Sequence, residues 1–406
     1  MVYLIAAVAM LLLGLRPWRI HTWVWPLAGS LIVLAAGYEP PGAALDAVAR
    51  QWNVLLFILG LMLLSAAAEE SGAFEWITQL LLERAGGSQR RLFVYLFLAA
   101  AAVTLVLSND ATAIALTPIV YRAVAAHSKI RAEPFLYGCI FVANTASFGL
   151  PFSNPANVLI LPHAQLLPYL WHLGPAEAMA IAANLGIFLF FFRRRLSGRY
   201  EVAKSKPPQP RTVRALWGML AVVLAYVAAL LFDWPLGAVA ALGGVMLLGI
   251  ASTSPLAGAR HIKWSTFVLL AGLFVLLDAV TRAGFTEWAI AALDSTMKYG
   301  ALAFNAAAGG GAAIFANLFN NLPVAVAASH ITRHAYAEGV AYPLIAGVDL
   351  GPNLFTSGSL ATILWLAVLR RYGLRMSRGE YLRLGAVVVP ATLGITVLWL
   401  WVAGTY

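Results

Sequence analysis

WNVLLFILGLMLLSAAAEESGAFEW, residues 52–76, and WSTFVLLAGLFVLLDAVTRAGFTEW, residues 264–288, are one segment written twice. At a constant offset of 212, Trp52 falls on Trp264, Gly60 on Gly272, Gly72 on Gly284, and Glu75-Trp76 on Glu287-Trp288. Each copy joins an apolar run of the length that crosses a bilayer, about 17–25 residues, to a glycine and a short amphipathic stretch. The same offset carries Ser108-Asn109 onto Asn320-Asn321 without a gap. The chain is therefore built from two related halves.

Working outward, the runs around those two polar pairs, 92–123 and 301–330, are apolar and too long for one helix. Neither has a hydrophilic loop at its centre, so each predicts a re-entrant hairpin with its tip at membrane depth. Non-helical backbone is tolerated there only where protein or a water-filled cavity surrounds it. Two further segments, ANTASFGLPFSNPAN (143–157) and GVDLGPNLFTSGSLAT (347–362), set Gly, Pro, Asn, Ser and Thr between apolar flanks. Proline removes an intrahelical hydrogen bond and glycine admits irregular dihedrals, so each predicts a helix–loop–helix span.

Composition agrees. Of 406 residues 61% are hydrophobic and 11% charged, against about 25% charged in a soluble domain. Spans are expected at 2–15, 23–37, 52–69, 135–161, 175–192, 213–232, 235–251, 264–282, 340–369 and 384–403, with interfacial helices at 70–86 and 283–298. The result is an all-α polytopic membrane protein of ten transmembrane helices plus two re-entrant hairpins. With the N-terminus outside, the outer segments hold Arg50, Arg282, Lys298 and Arg333. The other 23 of 27 Lys and Arg, from Arg16 and Arg19 to Lys263 and Arg383, fall inside. This positive-inside signature accounts for the net charge of +10 without nucleic acid, and puts both termini outside. The 52–69 span then runs inward and the 264–282 span outward, so the repeat is inverted. The halves are 1–196 and 212–406, joined by a polar cytoplasmic linker, 197–211. Inverted repeats with paired broken elements are the sequence sign of a secondary transporter, with its sites near the midplane.

The groups that converge there are Ser108, Asn109, Asp110, Asn144, Thr145, Ser147, Ser153, Asn154, Asn157, Asn320, Asn321, Asp349, Asn353, Thr356, Ser357, Ser359 and Thr362. None is Lys, Arg or His, which suits a small, neutral, hydroxyl-rich solute read by amides and hydroxyls. Asp110 and Asp349 are the carboxylates among them. An ionised aspartate at the centre of a spanning helix costs about 2.5–3.5 kcal/mol, so both are candidate proton sites. Asn109 and Asn321 could instead cap the hairpin helices, and Asp349 could be an N-cap beside Gly351-Pro352. Asp278 is expected to be solvated or paired with Arg282, and Glu69, Glu70 and Glu75 to form a polar helix end. The single cysteine, Cys139, excludes a disulfide framework and a multi-thiolate metal site. Without a nucleophile–base pair, phosphate loop or zinc motif the sequence does not read as an enzyme, and it calls for no cofactor.

The segments SNDATAIALTPIV (108–120), NLFNNLP (317–323) and GVDLGPNLFTSGSLATILWL (347–366) resemble the signature segments of the bacterial arsenite/antimonite efflux permeases, ArsB, within the ion transporter superfamily. The resemblance runs through essentially the whole chain. It implies a protein of the bacterial inner membrane that exports neutral arsenite or antimonite in exchange for protons. It also implies an elevator-like motion, in which transport parts (52–162 and 264–370) move against a scaffold (1–51, 163–196, 212–263 and 371–406). Association with an ArsA-type ATPase, where one is encoded, is implied as well. Sodium-coupled members of the superfamily carry Ser-Asn-Thr at both tips. Here the tips read Ser-Asn-Asp and Asn-Asn-Leu, which points away from sodium and dicarboxylates. The rival readings are a sodium/proton antiporter and a carboxylate or citrate carrier. Recognition through several thiols is closed to a chain with one cysteine. Cys139→Ser should accordingly keep full arsenite resistance in an arsenite-sensitive host, and loss of resistance would count against hydroxyl-based recognition.

Overall fold

A computed structural model describes residues 1–15, 20–251, 260, 262–334 and 337–405, with backbone only at 334, 337 and 338. Arg16, Arg19 and the side chain of His334 lie outside the described residues. The described chain is helical, without a β-strand; Ser88 and Arg199 form an isolated bridge. The first half runs α1 (Val2–Leu15), α2 (Val24–Ala35), α3 (Pro41–Ala49), α4 (Trp52–Glu70), α5 (Ala73–Arg84) and α6 (Gln89–Val106). It continues through a turn, α7 (Asn109–Ala111), a π-helical turn (Thr112–Leu116), α8 (Thr117–Ala125), α9 (Glu133–Thr145), α10 (Pro155–Ile160) and α11 (Leu166–Phe191). The second half runs α12 (Pro210–Leu231), α13 (Leu236–Ala251), α14 (Trp264–Arg282), α15 (Phe285–Met297), α16 (Ala301–Phe319) and α17 (Asn321–His334). It ends with α18 (Ala337–Leu350), a 3-10 turn (Gly351–Asn353), α19 (Leu360–Arg371) and α20 (Arg378–Val402).

The offset read from the sequence recurs in the helix starts. Trp52 and Trp264, Ala73 and Phe285, Gln89 and Ala301, Asn109 and Asn321, and Leu166 and Arg378 each stand 212 apart. Gly72 (φ 74°) and Gly284 (φ 97°) turn the chain left-handed before α5 and α15, where a side chain would be strained. α4, α6, α11, α12, α14, α16 and α20 are long and apolar enough to cross a membrane, and α1, α2 and α13 are shorter apolar helices. Outward-facing Leu98, Trp171, Leu224, Val245, Ile314 and Leu398 are exposed, the face of a protein solvated by lipid. The span expected from 175 starts at Leu166 instead. Pro175 lies inside α11, its ring accommodated within a continuous helix rather than starting one.

Packing crosses between the halves. α4 lies on α13, and α14 on α2, at backbone distance. A Cβ on Gly60 would sit 2.3 Å from the Ala240 carbonyl carbon, and one on Gly272 2.8 Å from the Leu27 nitrogen. The two hairpins, α6–α8 and α16–α17, cross over likewise. The first packs on α9 and on α19 of the other half, the second on α18 and on α10 of the other half. α11 and α20 run along each other. The polar 197–211 segment is docked rather than free. Tyr200 donates its N–H to Gly87 O (3.0 Å) and its hydroxyl to Leu82 O (2.6 Å), and Ser205 N donates to the Glu83 carboxylate (2.9 Å).

The glycine contacts are testable. Gly60→Ala should lower stability by about 1–3 kcal/mol, read as a fall in the thermal transition of the purified protein. Gly249→Ala, at a lipid-facing position of α13 with open space around it, should leave the transition in place or raise it slightly.

Candidate functional site

The hairpin tips share a rare backbone. Ser108 (φ 153°, ψ 167°) and Asn320 (φ 77°, ψ 153°), 212 residues apart, occupy a region almost reserved for glycine. Such strain persists only where surrounding contacts over-determine it. At each tip this same residue caps the returning helix. Ser108 Oγ accepts from Ala111 N at 3.3 Å, and Asn320 Oδ1 from Leu322 N at 3.4 Å. Capping therefore falls one position before Asn109 and Asn321, the residues the sequence suggested for it.

Around the broken helices the repeat offset is 205. α9 and α18 end at 145 and 350, and α10 and α19 begin at 155 and 360. Asn144 thus matches Asp349, and Asn154 matches Ser359. The structure joins them crosswise between the halves. Ser359 Oγ donates to Asn144 Oδ1 at 3.2 Å, and Asn154 Nδ2 donates to Asp349 Oδ1 at 2.6 Å. Asn144 Nδ2 goes on to Asn353 Oδ1 (3.1 Å), and Asn353 Nδ2 to Thr145 Oγ1 (3.0 Å). Asp349 is buried in the last turn of α18, not at a helix N-terminus, and its Oδ2 has no hydrogen-bond partner. The second tip is clasped to the loop before α19. Asn321 N donates to Gly358 O at 2.9 Å, and Asn320 Nδ2 to Ser357 O at 3.3 Å. α19 also packs on the 109–111 turn, so this loop links both tips.

A cavity of about 80 Å³ opens between the first tip and α4. Of the predicted residues Ser108 and Asp110 line it; Ser65, Glu69, Pro155 and Lys263 join them. Asn109 is buried, Thr356 and Ser357 are half-buried, and Ser153 donates to Ser147 O at 2.6 Å. The other predicted residues form the buried polar network and do not line this space. An inventory free of basic residues is therefore corrected: Lys263, expected as a loop charge, and Glu69, expected as a helix end, both face Asp110's cavity. Burial pulls the Lys263 ammonium below its usual range, and Asp110 draws it back up.

Glu177 is the group the sequence reading missed. It is buried on α11, and its Oε1 accepts from Phe148 N (2.9 Å) and Gly149 N (2.7 Å) in the first broken loop. It is the one acid in α11, which was the available signal. Tyr169 and Asn184 of α11 hold the same region through Phe148 O and Thr145 Oγ1 (2.8 and 2.9 Å). α20 serves the second loop similarly, with Tyr381 Oη donating to Pro352 O at 3.1 Å. Asp278 is paired, with Arg282 Nε at 2.9 Å and Arg50 Nη2 at 3.4 Å.

A multi-pass helical chain, with two hairpins and two broken helices crossing between halves, defines a membrane transporter of the ion transporter superfamily. Residues 1–350 match the family described as "Citrate transporter", CitMHS. The chain is 31% identical over 365 residues to the "Arsenical pump membrane protein" of Yersinia enterocolitica, with 85% of each chain covered. It is 30% identical to one from Escherichia coli, again over 365 residues and 85% of each chain. It is 25% identical over 438 residues to the "Putative arsenical pump membrane protein" of Bacillus subtilis (strain 168), covering 98% of each chain. In fold it is similar to the YdaH transporter of Alcanivorax borkumensis, with a TM-score of 0.56, 13% identity, and 94% and 97% of the two chains covered. The chain belongs to the CitMHS family and, within it, to the arsenical pump membrane proteins, ArsB.

Glu177 supplies this section's prediction. Glu177→Ala strands two buried amides, each costing about 1–3 kcal/mol. Glu177→Gln keeps a carbonyl acceptor. Thermal transitions should fall in the order wild type, Gln, Ala, and an Ala variant as stable as wild type would refute the support role.

Proposed function

We propose that the protein, with ten spans and two hairpins, exports arsenite or antimonite from the bacterial cytoplasm in exchange for protons, by an elevator-like motion. The observation that carries the cargo is the small cavity at the first tip. About 80 Å³ of space open to water-sized groups suits a solute of a few heavy atoms. Its lining offers Ser65, Ser108, two acids and one base, a setting that favours hydroxyl donors over carboxylates. The relatives' names support the same cargo.

Asp110 and Asp349 are the proton carriers in this reading. Asp349 is a buried carboxylate with Asn154 Nδ2 on one oxygen and no cation beside it among the described residues, a costly state when ionised and a natural place for a proton. Packing favours a different division of moving and fixed parts from the 52–162 and 264–370 blocks. α4 and α14 go with the scaffold, because they lie at backbone distance on α13 and α2. α11 and α20 go with the hairpins and broken helices, to which buried hydrogen bonds tie them. The cavity then lies on the sliding boundary, at the end of α4 reached from the cytoplasm. An ArsA-type ATPase, where one is encoded, would meet the cytoplasmic face. Both termini lie in the periplasm.

Purified protein should be stabilised against heat by arsenite or antimonite, by about 2.7 kcal/mol at a hundredfold excess over the Kd. Reconstituted in vesicles, it should move arsenite against an imposed pH gradient, and an uncoupler or Asp110→Asn should abolish that movement. Stabilisation by citrate or succinate but not arsenite would instead establish the carboxylate reading, which the family description "Citrate transporter" favours.

A further inference from the structure

The inverted repeat supplies an internal control on the charged cavity. Its polar residues Ser65, Glu69 and Asp110 correspond, 212 residues on, to Leu277, Thr281 and Leu322, and Lys263 corresponds to Gln51. In the other half the charge sits elsewhere: Asp278, the counterpart of Ala66 in this cavity, pairs with Arg282 (2.9 Å) and Arg50 (3.4 Å). The two halves thus place their charges differently, and Lys263 with Asp110 across one cavity is particular to the first hairpin. Lys263 is moreover in an unfavourable place. It is half-buried at the N-cap of α14, where the helix dipole disfavours a cation by about 0.3–1 kcal/mol. The positive-inside bias accounts for a cation in this segment but not for its facing a cavity, and what it faces there is Asp110.

We infer that Lys263 is the fixed counter-charge of Asp110, met by the hairpin on the cytoplasmic side and left behind when it moves outward. The inference rests on reading Asp110 as a proton carrier. Beside Lys263, Asp110 gives its proton to the cytoplasm, and its carboxylate is open to the hydroxyl donors of a neutral oxyacid. Away from Lys263, and once the cargo has left, the carboxylate has no partner and takes a proton from outside before returning. One proton enters for each neutral solute that leaves. An empty, ionised carrier is held facing inward by the ammonium, which prevents an unproductive stroke. The other charged groups near the pair are Glu69 on α4 and Arg371 at the end of α19, the latter acting on Lys263; α10 contributes Pro155.

The test follows the infrared carbonyl band of protonated Asp110 in liposomes, assigned by its loss in Asp110→Asn, as pH is raised without cargo. Lys263→Gln places the repeat counterpart's residue in the cavity, and Lys263→Met gives the same readout should the Gln variant misfold. The midpoint for loss of the band should move up by about 1 pH unit or more in either variant and stay in place in Lys263→Arg. Equal midpoints in all four proteins would overturn the inference. A shift without arsenite flux in the wild type would remove the cargo assignment and leave this one standing.

Discussion

The structure turns on one requirement: inside hydrocarbon, every backbone N–H and C=O must find a partner within the protein. Four places in this chain break the helical ladder that would satisfy it, the tips at Ser108 and Asn320 and the loops at 146–154 and 351–359. The first tip is capped by its own Ser108, and the other three are repaired from elsewhere. Glu177 answers the amides of Phe148 and Gly149; Gly358 O answers Asn321 N; Asn317, through Gly351 O at 2.8 Å and Phe355 N at 3.1 Å, braces the second loop. The repairing groups are carboxylates, amides and hydroxyls because only these reach a stranded peptide group. The same chemistry serves a hydroxylated solute.

Much of this was legible. The offset of 212 gave the repeat, the paired hairpins and the placing of Ser108 and Asp110 at a tip. Strings of Gly, Pro and Asn marked the broken helices, since those residues cannot continue a helix at no cost. The match between Asn144 and Asp349 was hidden, because the connection before α18 is shorter than the seven residues between α8 and α9, which shifts the register to 205. Glu177, Lys263 and Glu69 were legible only as isolated charges. What gives them a role is the element packed opposite, and nothing in a linear reading brings residue 263 beside residue 110. The span expected from 175 began too late, because α11 runs on through Pro175 from Leu166.

The two halves agree in backbone and differ in chemistry. Gly60 and Gly272 make the same close approach to the partner half, and the tips take the same strained turn. Symmetry is kept where geometry is at stake. It is given up in the side chains beside the tips, where Asp110 and Lys263 line the first cavity and Leu322 and Gln51 stand at the matching positions.

The crosswise bonds Asn144–Ser359 and Asp349–Asn154 bear on how such a chain is made. Each half closes part of its own broken helix, through Glu177 in the first and Asn317 in the second, and takes a further bond from the other, some two hundred residues away. During synthesis the first half enters the bilayer long before Ser359 leaves the ribosome. Asn144 Oδ1 and Asn154 Nδ2 therefore wait for their partners until residues 349–359 have been made.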